Sequence, residues 1–68
     1  MKATEQQLKR MAEEVKAIAE DIAALQGGAS LKSMGVPAGT SREEAIRVWG
    51  ERKANIEAAA ARGDRFAL

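Results

Sequence analysis

Catalysis needs reactive side chains at workable spacings, and this chain offers few. It contains no His and no Cys. That removes the commonest general base, the thiolate nucleophile, disulfides and most zinc sites. Ser30, Ser33 and Ser41 have no imidazole to activate them. The carboxylates sit among compensating charges and follow no calcium-loop pattern. Gly27-Gly28 and the glycines at 35 and 39 do not form a phosphate-cradling loop. The sequence therefore predicts no enzyme, no metal and no cofactor.

Binding is the remaining chemistry. Arg42, Arg47, Arg52 and Lys53 cluster around Val48 and Trp49, the single tryptophan. Trp and Arg are enriched among residues that anchor protein interfaces, so this group is the candidate partner-binding set. Each member also has a plainer role. Trp49 falls on an apolar stripe with Ile46 and Ile56, which favours a place in the core. The long cations can lie along an apolar edge with their charges in water, or pair across the fold with Glu14 or Asp21. Residues 31–46 have the outline of a helix-turn-helix, but two glutamates at the start of the second helix would repel phosphate. Arg62-Gly63-Asp64 matches a tripeptide read by adhesion receptors. We take it as coincidence, because Gly63 already serves as a helix stop.

These residues must be held by helices. Leu8, Met11, Val15, Ile18, Ile22 and Leu25 recur at spacings of three and four. They form a heptad seam with Leu8, Val15 and Ile22 in one row and Met11, Ile18 and Leu25 in the other. Ala12 and Ala19 flank it. The spacing predicts a first helix over 3–26, opened by a Thr4/Gln7 capping box and closed by Gly27-Gly28. Lys9 with Glu13 and Lys16 with Glu20 stand four apart, as ion pairs on one helix face do. A loop over 27–40 follows, rich in turn formers but carrying Leu31, Met34 and Val36. It is expected to fold back over the open end of the helices, with Ser30 starting one turn that Gly35 stops. A second helix over 41–62 begins at Ser41, whose spacing to Glu44 matches a capping box. Its stripe of Ala45, Ile46, Trp49, Ile56, Ala59 and Ala60 is weaker, interrupted by Gly50, Arg52 and Lys53, with Val48 pointing off it. Residues 63–68 form a short tail in which Phe66 and Leu68 are available for packing.

A chain of 68 residues supports one domain and hides only ~60% of its unfolded surface. Oligomerisation is the staple left to it. The expected architecture is all-α: a two-helix hairpin with a long loop, paired with a second copy into an antiparallel four-helix bundle. Leu8, Met11, Val15, Ile18, Ile22 and Leu25 are its expected dimer interface. The net charge is only +1, with charges of both signs interspersed. That is not the basic footprint that recruits a phosphate backbone, so no direct nucleic-acid contact is expected. With neither a membrane span nor a signal-peptide core in view, the expected location is cytoplasmic.

The layout resembles that of small phage-encoded helical hairpins that act as anti-activators of a bacterial quorum-sensing transcription factor. The resemblance covers the opening heptad helix, the long loop and the second helix with Trp49 and its arginines. It implies a homodimer in the host cytoplasm that docks on a host regulatory protein. The DNA-binding domain of a transcription activator is one implied target and a pilus-assembly motor another. The expected function is inhibition by occlusion. A structural or assembly subunit of a phage particle or larger complex, and a small nucleic-acid-binding regulator, are the alternatives.

Overall fold

A computed structural model of the chain describes residues 2–65. The expected contributions of Phe66 and Leu68 lie outside the described residues. Two helices, α1 (Glu5–Gln26) and α2 (Arg42–Ala61), pack against each other as a hairpin. The molecule is a rod of 37 × 16 × 15 Å. Its long axis follows from α1, since 22 residues at ~1.5 Å each span about 33 Å.

The caps place the helix ends. Thr4 accepts from the Gln7 backbone N–H at 3.1 Å, and the Gln7 side chain accepts from the Thr4 N–H at 2.8 Å, so the expected box is complete. At α2 only half of the box forms: Ser41 Oγ accepts from the Glu44 N–H, with no return bond. Both helices end in the same double hydrogen bond. At α1, Gly28 N–H donates to the Leu25 carbonyl and Ala29 N–H to the Ala24 carbonyl. At α2, Gly63 donates to Ala60 and Asp64 to Ala59. This closure needs a left-handed residue just past the cap. Gly28 and Gly63 supply it, with φ of 95° and 72°. The left-handed stop of α1 is therefore Gly28, while Gly27 keeps a φ of −80°.

The loop carries the expected single turn over 31–35. The Ser30 carbonyl, not its hydroxyl, anchors it by accepting from Met34 N–H at 3.1 Å and Ser33 Oγ at 2.9 Å. Leu31, Met34 and Val36 are half-buried. At the opposite end the chain closes on itself. Ala3 N–H donates to the Gly63 carbonyl at 2.8 Å, and Lys2 and Asp64 form one antiparallel bridge.

The core corrects the reading of the seam. Met11, Ile18 and Leu25 are buried, as are Ala45, Ile56 and Ala59 on α2. Met11, Ile18, Ile56 and Ala59 form one cluster, with Leu8, Val15, Ile22, Trp49 and Ala60 packed half-buried around it. The second helix, whose interrupted stripe is the weaker of the two, nevertheless covers one of the seam's two rows. The Met11, Ile18 and Leu25 row is therefore interior to one chain. Only the Leu8, Val15 and Ile22 row still presents apolar surface outward. Arg52 and Lys53 do not interrupt the contact because they flank it.

Gly50 lies in the middle of α2, and a Cβ added there would meet nothing within 4 Å. Gly50→Ala is expected to stabilise the chain by about 0.5–1 kcal/mol, since glycine loses the most backbone freedom in a helix. Urea unfolding followed by circular dichroism measures it. A loss of stability instead would place another chain against this stretch of α2.

Candidate protein-binding surfaces

At 3.6 residues per turn, the two sides of the hairpin are chemically different. Glu14 and Asp21 lie to one side of the buried Met11, Ile18 and Leu25 line. Leu8, Ala12, Val15, Ala19 and Ile22 lie toward the other. On the first side Arg52 Nε stands 3.9 Å from Glu14 Oε1, the cross-helix pairing that the spacing allowed. On the second side a shallow groove of about 480 Å³ runs between the helices. Met11 and Val15 line it together with Ala12, Ala60, Ala61 and Glu57. One side is thus crossed by charge, and the other is apolar and built largely from small residues.

A second concavity lies at the loop end. Gly35, Val36, Pro37 and Thr40 from the loop and Glu44, Ala45, Val48 and Trp49 from α2 line a half-open cleft of about 280 Å³. Val48 is 44% exposed, the one large apolar side chain left so open among the described residues. Its place off the α2 stripe was legible from spacing. The contribution of Val36 and Pro37 was not, because it depends on the loop folding back across α2.

The candidate cations divide by role. Arg42 is part-buried, and its Nη1 donates to the Leu25 carbonyl at 2.8 Å and to the Ala29 carbonyl at 2.7 Å. Those bonds satisfy carbonyls at and beyond the end of α1, where no intrahelical donor is left. Arg42 therefore ties the loop and both helices together and presents little to a partner. Arg47 stays exposed, 3.0 Å from Glu51 and 3.5 Å from Glu44. Lys53 Nζ pairs with Glu57 at 3.1 Å on the groove side. Trp49 is half-buried, reaching both the core cluster and the loop-end cleft.

The ion pairs expected on α1 are not made. Among the described residues, Lys9, Glu13, Lys16 and Glu20 have no charged partner within 4 Å, whereas α2 pairs Arg47, Arg52 and Lys53. Exposed pairs of this kind gain little over hydration, so spacing alone does not enforce them. No group of three or more Asp or Glu among the described residues is arranged to hold a metal ion. Among the described residues, no helix is long and apolar enough to cross a membrane. No family model, curated protein or solved structure matches the chain.

Proposed function

We propose that this chain is a small protein-binding regulator. In this reading it homodimerises through the Leu8, Val15 and Ile22 row into an antiparallel four-helix bundle. It inhibits a host protein by covering a surface that protein needs. The resemblance to phage anti-activators makes a transcription activator's DNA-binding domain the first target to test and a pilus-assembly motor the second. The supporting observation is the loop-end cleft, where Val48 stands open beside half-buried Trp49 and Val36 and exposed Pro37. Interface hot spots are enriched in Trp and Arg and sit in pockets, and Trp49 lines this cleft with Val48 open beside it. Arg47, the residue before Val48, adds a charge that can exchange its intrachain partners for a target's carboxylate.

Titration calorimetry against the purified activator domain and the purified motor tests the reading. The expected result is binding to one of them, with operator DNA displaced if the activator is the target. Val48→Asp is expected to weaken that binding about tenfold or more while leaving the circular dichroism unchanged, because the side chain is exposed. Failure to bind either protein would remove the reading. A salt-dependent shift of bare DNA at moderate concentration would replace it with the nucleic-acid alternative.

A further inference from the structure

The open side of α1 carries a pattern that reads the same from either end once charge is inverted. Val15 is at its centre. Leu8 and Ile22 lie seven residues to either side in the outward apolar row. Ala12 and Ala19 are placed almost symmetrically about the same point. Lys9 and Glu20 are too, and so are Glu13 and Lys16, each pair with opposite signs. All four charged residues are exposed and have no ion pair within 4 Å among the described residues. They lie toward the flank beyond Ala12 and Ala19, away from the Arg52–Glu14 crossing.

We propose that the occupant of this face is a second copy of the chain, with α1 against α1 in antiparallel register and the two-fold axis at the level of Val15. This rests on the homodimer proposed above and adds the direction of α1 against α1 and its register. Turning α1 end over end about Val15 sets Leu8 opposite Ile22 and Ala12 opposite Ala19 of the second copy. The same turn brings Lys9 level with the other copy's Glu20 on the flank beyond the alanines, twice by symmetry. A parallel copy in register would instead set Lys9 on Lys9 and Glu20 on Glu20, which is repulsive. The alanines let the helix axes approach closely, and the half-buried row of Leu8, Val15 and Ile22 then closes into the centre of four helices. The other side of the hairpin, crossed by Glu14 and Arg52, offers no comparable apolar row.

Sedimentation equilibrium of four chains tests the arrangement: wild type, Lys9→Glu, Glu20→Lys and the double exchange. The wild type is expected to dimerise. Each single reversal is expected to raise the dimer Kd roughly 3- to 10-fold at low salt. The double exchange is expected to restore it to within about twofold, because it rebuilds the pair with signs swapped. Cysteine variants fix the register, since the chain has no thiol of its own. Ala12→Cys combined with Ala19→Cys is expected to give an oxidised covalent dimer, whereas either alone crosslinks poorly because its copies lie about 10 Å apart along the axis. A dimer whose Kd ignores the single reversals, or which crosslinks through Ala12→Cys alone, would overturn the register and leave the homodimer standing. A wild type monomeric at every concentration would overturn both.

Discussion

Replacing Ile18 with aspartate is expected to unfold the hairpin, not merely to separate two intact copies. Ile18 is 7% exposed and packs with Met11, Ile56 and Ala59 inside one chain. The substitution forfeits about 1.5–3 kcal/mol of apolar burial. It also leaves a carboxyl group without a hydrogen-bond partner, which costs at least ~1–3 kcal/mol more even in its neutral form. A domain of this length has only about 3–10 kcal/mol of stability in total. Helical circular dichroism should therefore be largely lost at neutral pH, at every protein concentration. Val15→Asp is the matched control. Val15 is half-buried on the outward row, so that variant should keep most of its helix and lose only the concentration-dependent mass. If Ile18→Asp stayed helical and became monomeric, Ile18 would belong to an intermolecular face and the burial described here would not hold in solution.

Arg42→Ala has the second largest expected effect. The guanidinium donates to Leu25 and Ala29 across 17 and 13 residues of chain. Hydrogen bonds from a charged donor are each worth about 1.5–3 kcal/mol. The two share one nitrogen and are not independent, so we expect a net loss of about 2–3 kcal/mol, seen as a lower urea midpoint. Amide exchange should accelerate first in the loop over 27–41 and in the last turn of α1, which lose their anchor, before it accelerates at Ile56. Arg47→Ala should move the midpoint by no more than about 0.5 kcal/mol, because its ion pairs are exposed. Equal losses from the two arginines would mean that the Arg42 contact is not made in solution. The comparison also bears on binding. A partner that loses affinity with Arg42→Ala alone would be reporting a disturbed loop, whereas a loss with Arg47→Ala at unchanged stability would report a contact.

The parts of this molecule that were legible in advance are local. The Thr4 box with Gln7, the Ser41 cap and the left-handed glycines past each helix end act over three or four residues. Their effect follows from the unpaired backbone groups at helix termini. The turn over 31–35 was readable for the same reason. The offset of Val48 was readable because an α-helix turns by a fixed amount per residue. The pairing of Lys9 with Glu13 was equally local in form yet did not appear, because exposed charges choose between a neighbour and water by small margins.

By itself, then, the sequence determined two helices, their ends, a heptad seam on the first and the absence of His and Cys chemistry. It could not say which row of that seam lies inside. Leu8, Val15 and Ile22 repeat with the same period as Met11, Ile18 and Leu25, and a period carries no information about the direction from which α2 arrives. Only the tertiary structure decided that. The loop over 27–41 delivers α2 to the Met11 row, and Arg42 holds it there through carbonyls remote in sequence. One apolar row is thereby left facing outward on one side of the hairpin, with the charges of the other side crossed by Arg52 and Glu14. The same long-range step converts an arginine that looked like part of a binding face into a tie within the fold. It also gathers Val36 and Pro37 beside Val48 and Trp49. Contacts between residues far apart in sequence depend on the path of the chain between them, and that path is a property of the packed molecule.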